Sequence, residues 1–274
     1  MDKVKVELGA TEETLFIPLL MRKEDAHATR SILHDHMAKY IADQIDFDWE
    51  KYGGWNKMSY YGCLVRAKYC DQEAVAVAQK FGPNDLLLVN AGCGLDTRWH
   101  RTGRQLSGYR RMDMDLDPVM RIRQQVVPRL EGVSEMSADL TRDEWIEQLQ
   151  KETSPNTHIC LVIEGVMMYF TEDEVRGLFQ SLHQAFGGRV TIICDLLNKF
   201  MVRKQRSHDT LRHSQAVFRS GFDGVEEVEA LHPNLRVEQR ASIFEMMRPY
   251  SLIARLFHAV PSLKWNNTIY TLSL

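Results

Sequence analysis

Beyond residue 84 the chain alternates between two kinds of segment. Short strand-like runs (the continuously apolar Leu86-Leu87-Leu88-Val89, then 109–114, 159–163 and 190–194) are separated by polar, helix-compatible stretches at 117–130, 143–151 and 172–185. A strand apolar at nearly every position is one covered on both faces, as in a parallel sheet. Strands alternating with helices of this length predict βαβ units and a doubly wound α/β sheet. Thr171 with Glu174 three residues later reads as a capping box. Asp117-Pro118 reads as an N-cap followed by proline at N1. Strand-like stretches return at 235–239 and 268–274, with helical composition over 248–259 between them. The chain is therefore expected to end with an antiparallel strand at the sheet edge.

Before residue 81 the pattern is helical. Ile32, Leu33, Met37, Tyr40, Ile41 and Ile45 fall at spacings that place them on one broad helix face. Residues 47–61 form a ring-rich loop with Trp49, Tyr52, Trp55, Tyr60 and Tyr61, either a lid over an aromatic ligand or a small satellite core. Helical composition resumes over 65–80 and stops at Phe81-Gly82-Pro83-Asn84. Residues 196–220 are rich in charge and histidine and read as an inserted cap.

Composition narrows the class. The 274 residues are 44% hydrophobic and 26% charged, which excludes a disordered or fibrous chain. With 34 basic and 37 acidic side chains the net charge is −3, so no global field favours nucleic acid or an anionic membrane, and neither is expected as a partner. The five cysteines form no C-x-x-C pair, which suggests reduced thiols and no zinc site. The apolar stretch 15–21 follows Glu12-Glu13 and precedes Arg22-Lys23, the wrong charge order for a secretion signal. No apolar run approaches the roughly 18 residues of a membrane span. A cytoplasmic protein is expected.

The candidate chemistry sits at strand ends. Asn90-Ala91-Gly92-Cys93-Gly94-Leu95-Asp96-Thr97 directly follows the first core strand, where doubly wound sheets bind ligands. Glycines there admit a ligand to the backbone. The third glycine of a dinucleotide fingerprint is replaced by Thr97, and no phosphate-cradling G-K-[ST] is present, so a nucleoside without a pyrophosphate fits better. Asp115 ends the second strand about 20 residues on, where an acid accepts hydrogen bonds from ribose hydroxyls. Asp139 follows the third strand, positioned to pair with an adenine amino group. Glu164 follows the fourth, positioned to receive an ammonium or sulfonium charge.

The strings Asn90-Ala91-Gly92-Cys93-Gly94-Leu95-Asp96-Thr97-Arg98, Met114-Asp115-Leu116-Asp117-Pro118 and Glu164-Gly165-Val166-Met167-Met168-Tyr169-Phe170 resemble the leucine carboxyl methyltransferase family. The bacterial branch related to the tetracenomycin O-methyltransferase is the most similar. Ile17-Pro18-Leu19, Ile32-Leu33-His34-Asp35 and Val65-Arg66-Ala67-Lys68-Tyr69 also sit where that branch carries similar strings. The resemblance implies a Rossmann-like class I fold that binds S-adenosylmethionine: a seven-stranded, mostly parallel sheet with an antiparallel last strand and an N-terminal helical lid. It implies one domain over 1–274, with the lid at 1–81, the cofactor-binding core at 82–195, an inserted cap at 196–234 and the final strands at 235–274. By position, Arg66 would pair with the methionine carboxylate, Gly92 would lie against the ligand, and Asp115 would hold the ribose. Asp139 and Leu140 would flank the adenine, Glu164 would sit near the methionine amino end, and Arg22 would be a basic lid residue. The chain departs from the branch at Ala67-Lys68 and His36-Met37, changes that bear on the acceptor pocket.

The implied reaction is methyl transfer to the carboxylate or hydroxyl of a small, aromatic or polyketide-like acceptor. An ionised carboxylate needs no base, whereas a hydroxyl needs one, and His208 and His213 are either candidates or solvated surface residues. Since no base stands out, a carboxylate is slightly favoured. Met167, Met168 and Tyr169 are read as either core or acceptor pocket, and Arg203-Lys204-Gln205-Arg206 as either a guide for an anionic acceptor or a solvated face. Three other readings are a nucleotide-dependent oxidoreductase, a non-catalytic S-adenosylmethionine-binding module, and a methyltransferase for a protein's C-terminal leucine.

Overall fold

The structure, a computed structural model, describes residues 3–6, 8–9, 12–49, 57–205 and 216–274. Tyr52, Trp55, Arg206, His208 and His213 lie outside the described residues.

Seven strands form the central sheet: β3 (Leu86–Ala91), β4 (Arg110–Asp115), β5 (Val133–Ser137), β6 (His158–Ile163), β7 (Val190–Leu197), β8 (Arg236–Ser242) and β9 (Asn267–Ser273). Their order is β5-β4-β3-β6-β7-β9-β8. The five strands from β5 to β7 are parallel, while β9 runs antiparallel to both β7 and β8. The fold is thus the expected Rossmann-like α/β class. Strand order reverses between β3 and β6, and there the carboxyl ends leave a crevice for a ligand.

The apolar runs are continuous because each face of the sheet has its own core. Leu87, Val89 and Ala91 face a cluster completed by Trp145, Leu178 and Phe179. Leu86 and Leu88 face the other side, against Leu64, Val65 and Ala74. Those residues come from α6 (Glu144–Glu152), α7 (Glu172–Phe186) and α3 (Lys57–Ala78). The capping box at the start of α7 is present, with Thr171 accepting from the Glu174 backbone N–H and Glu174 accepting from Thr171.

Three local expectations change. The final strand is antiparallel but internal; the edge is β8, whose exposed, polar pattern suits a position covered on one side only. The helix starting near Asp117, α5 (Asp117–Val126), takes Leu116 as its N-cap. Asp117 therefore lies inside the first turn, where its carboxylate pairs with Arg121 at 2.8 Å. The helix face expected over 32–45 is divided. Only α2 (His36–Asp43) is helical, with Asp35 as N-cap accepting from the Ala38 N–H. Ile32 and Leu33 precede it, held by their N–H groups donating to Asp25, and His34 adopts a φ of 58°. Ile41 and Ile45 are buried, whereas Tyr40 is exposed.

The N-terminal layer also contains α1 (Phe16–His27) and a short two-stranded sheet, β1 (Val4–Lys5) with β2 (Ile45–Asp46). Phe47 and Trp49 pack on Phe16, with ring centroids 4.3 and 5.7 Å away, so these two rings of the aromatic loop build a satellite core. Tyr60 and Tyr61 belong to the N-terminal part of α3. After β7, α8 (Lys199–Arg203) leads towards the inserted region. Residues 216–222 then run back beside β7, with Arg219 N–H donating to Met168 O and Phe222 N–H to Leu197 O. The short helix α9 (Val225–Glu229) follows, and α10 (Ile243–Met247), α11 (Leu252–Ala259) and α12 (Pro261–Lys264) fill the passage between β8 and β9.

Candidate active site

A cavity of about 830 Å³ opens at the carboxyl ends of the parallel strands. It lies in the upper part of the range of about 300–1,000 Å³ for ligand pockets and has room for more than one small molecule. Arg22, Arg66, Gly92, Asp115, Asp139, Leu140, Glu164, Met168 and Tyr169 all line it, so these nine residues singled out from the sequence meet at one place, whereas Met167 is fully buried in the core and does not line it.

Each side chain is brought there by its element. The turn after β3 is tied to the end of β4 by the N–H groups of Gly92 and Cys93, both donating to Met114 O. Gly92 has a φ of +71°, and a Cβ there would collide with Val166 Cγ2. Only glycine fits both the left-handed backbone and the space. Asp115 Oδ2 accepts from the Gly94 N–H at 2.7 Å, and Oδ1 accepts from the Leu116 N–H at 2.7 Å. Burial raises its pKa despite those two donors. The remaining lone pairs of this oriented carboxylate suit the hydroxyls of a ribose.

Beside it lies an ion network that sequence reasoning only partly found. Arg66 reaches over from α3, its Nε donating to Glu164 Oε1 at 2.9 Å and its Nη1 to Asp195 Oδ2 at 3.0 Å. Arg98, in the short α4 (Arg98–Arg101), donates to Glu164 Oε2 at 2.6 Å and to Asp71 Oδ1 at 2.9 Å. Arg101 binds Asp71 and Asp96. Burial alone would lift the Glu164 carboxyl, yet Arg66 and Arg98 on either side hold it below the ordinary range. Arg66 keeps its charge although burial works against it, because Asp195 and Glu164 outweigh that cost. Among the described residues of this network four arginines (22, 66, 98, 101) face five carboxylates (35, 71, 96, 164, 195), so acids outnumber their arginine partners even before Asp115 and Asp139 at the cavity wall are included.

Arg22 is nearly inaccessible. Its guanidinium binds Asp96, Asp35 and the Leu95 carbonyl, so it pins α1 onto the glycine turn. Asp139 accepts from the Thr141 N–H and hydroxyl, at 3.0 and 2.7 Å, in a turn at the cavity wall. Asp195 is fully buried, accepting from the Gly165 N–H at 2.6 Å as well as from Arg66. The rule that picks out Glu164, an acid at a strand's carboxyl end, also reaches Asp195. It was missed because the apolar run ends at Cys194, three residues before β7 does.

The remainder of the cavity is mostly apolar, with Glu12, Thr14, Ser59, Asn90, Asn266 and Asn267 as further polar lining. Met58, Phe200, Met201, Phe218, Phe244 and Met247 line it together with Met168 and Tyr169. Burial pushes the Cys63 thiol up to about 11 and raises the Tyr169 phenol, so both are protonated at neutral pH. Among the described residues no histidine lines the cavity, and no group of three His, Cys, Asp or Glu side chains could hold a metal ion. No helix of the described residues is long and apolar enough to cross a membrane.

Comparisons with known proteins bear on this geometry. The profile of the leucine carboxyl methyltransferase family matches residues 19–183, more than half the chain. The S-adenosyl-L-methionine-dependent methyltransferase dpfgK of Gibberella zeae is 24% identical over 260 residues, covering 88% of this chain and 85% of that protein. Two solved structures share the fold. A DUF574 family protein from Streptomyces avermitilis has a TM-score of 0.59 at 11% identity, covering 91% of this chain and 98% of that one. An S-adenosylmethionine-dependent methyltransferase from Anabaena variabilis has a TM-score of 0.54 at 13% identity, covering 100% and 98%. The glycine turn, the oriented Asp115 and the surplus negative charge fit S-adenosylmethionine, a cationic nucleoside without a pyrophosphate. With the family profile spanning the glycine turn, Asp115 and Glu164, this chain belongs to the leucine carboxyl methyltransferase family and is an S-adenosylmethionine-dependent methyltransferase.

Proposed function

We propose that the chain methylates an oxygen, a carboxylate or a hydroxyl, of a small aromatic or polyketide-like acceptor. The observation that carries this reading is the split character of the cavity: charged groups gather at the strand ends, and a pocket of rings and thioethers lies beyond them. Bound S-adenosylmethionine supplies a methyl group already activated by its sulfonium charge. The protein's task is then to hold the acceptor oxygen in line with that carbon and to exclude water, which can supply several kcal/mol of the barrier. Arg66 is assigned to the methionine carboxylate, Glu164 to the amino end, Asp115 to the ribose, and Asp139 and Leu140 to the adenine. Gly92 gives the backbone close approach, and Arg22 holds the helical lid. Met168 and Tyr169 form the floor of the acceptor pocket.

A carboxylate acceptor is favoured over a hydroxyl. Cys63 and Tyr169 hold their protons at neutral pH, so neither is a base that could ionise a hydroxyl. Tyr169 is instead a hydrogen-bond donor. The test is a panel of aromatic acids, phenols and a peptide ending in leucine, with S-adenosylhomocysteine as the readout. The reading expects turnover with an aromatic acid. Turnover with the peptide alone would replace it with protein methylation. Cofactor binding without turnover of any acceptor in the panel would point to a binding protein.

A further inference from the structure

Three side chains lining the cavity are exposed among the described residues, and all three are apolar: Phe200, Ile253 and Phe257. They mark its mouth. Two of them belong to α11, a helix whose polarity is inverted. A surface helix usually turns its apolar stripe inward. Here the side chain buried against the protein is the small Ala254, while Leu252 is 72% and Leu256 68% exposed. Leu252 and Leu256, at i and i+4, make one ridge about 6 Å long at a rise of about 1.5 Å per residue, and Val260, the residue that caps the helix with extended backbone, is exposed just beyond it. Ile253 and Phe257 form the adjoining row and line the cavity. Singly exposed leucines are ordinary, but five large apolar side chains on one short segment continuous with a cavity form a patch. Residues 246–274 contain no acidic side chain, so an uncharged or anionic occupant meets no repulsion there.

We propose that the α11 ridge is the outer part of the acceptor subsite, and that the acceptor is an elongated lipophilic molecule. Its methyl-accepting oxygen lies near Tyr169. Its apolar body passes Phe244, Met247 and Phe257 and comes to rest against Leu252 and Leu256. This deepens the methyl-transfer reading above and rests on it. Each methylene that leaves water for such a surface adds about fourfold in affinity, from about 0.8 kcal/mol per group.

The test uses straight-chain acids from butanoic to dodecanoic, and the corresponding primary alcohols, titrated into full-length protein saturated with S-adenosylhomocysteine. Wild type is compared with Leu252→Asp/Leu256→Asp. In wild type, affinity should climb with chain length. The double variant should lose at least tenfold for the longest probes and leave the shortest probes and S-adenosylhomocysteine unaffected. Affinity independent of chain length, or the same climb in the double variant, would overturn the proposal. So would sedimentation showing a wild-type dimer that the double variant breaks, because a second copy would then cover the ridge. Failure to bind S-adenosylhomocysteine would instead strike at the methyl-transfer reading itself.

Discussion

Replacing Asp195 with alanine tests whether the buried ion network holds the cofactor end of the cavity in shape. The carboxylate is fully buried and accepts two hydrogen bonds, one from the Gly165 N–H and one from Arg66 Nη1. Truncation leaves the Gly165 N–H without its acceptor, which alone costs about 1–3 kcal/mol. It also leaves Arg66 with Glu164 as its remaining acid among the described residues. Breaking a buried pair from one side typically costs about 3–5 kcal/mol, and because the Gly165 term is part of the same loss, that range is taken as the total. At about 2–4 °C per kcal/mol for chains approaching this size, Tm should fall by about 6–20 °C. Urea unfolding gives the free energy, and calorimetry with S-adenosylhomocysteine gives the effect on the site. Asp195→Asn keeps the shape and one acceptor, so it should recover part of the loss but bind the cofactor product more weakly than wild type. A destabilisation below about 1 kcal/mol for Asp195→Ala, with unchanged ligand affinity, would refute the reasoning.

Asp115→Ala and Arg66→Ala should each weaken S-adenosylhomocysteine binding at least about tenfold, since each removes a partner from a polar or charged ligand group; wild-type affinity in either, by calorimetry, would remove that residue from the site. Gly92→Ala should destabilise the fold by about 1–3 kcal/mol, because the left-handed backbone disfavours a Cβ and Val166 occupies its space. In a double-mutant cycle Val166→Ala should relieve the steric share and leave the backbone share, and a cycle without coupling would contradict the contact. Glu164 has its pKa lowered on folding, so its contribution is complete above its unfolded value of about 4.3 and is lost as pH falls through the lower folded value. The stability gap between wild type and Glu164→Gln should therefore narrow as urea titrations move from about pH 5 to pH 3; a constant gap would show that Glu164 is not held ionised by its arginines.

Much of the scaffold is legible from local pattern alone. The apolar runs that become β3, β6 and β7 are apolar because both faces of a parallel sheet are covered, a condition written into each strand without reference to its neighbours; β4 is covered too but carries Arg111 and Asp113 buried among its methionines. The glycine turn, Asp115 and Glu164 are equally local, for each follows a recognisable strand and the fold rule says that strand ends meet the ligand. Asp195 escaped because the strand continues beyond its visibly apolar portion. Arg98 and Asp96 lay inside a string that was read for its glycines. Arg101 and Asp71 carry no local mark of function, since α3 and α4 become neighbours only after the chain has folded.

What the sequence determined by itself is the class of fold, the alternation of strands with helices and the residues that end β3, β4, β5 and β6, because periodicity and strand-end position act over a few residues. Tertiary structure alone decided that β9 enters between β7 and β8, that nine separated residues share one cavity, and that α11 faces outward beside its mouth. Those outcomes depend on which surfaces meet across tens to hundreds of residues. A side chain's partners at that separation are set by packing, and neither propensity nor spacing records them.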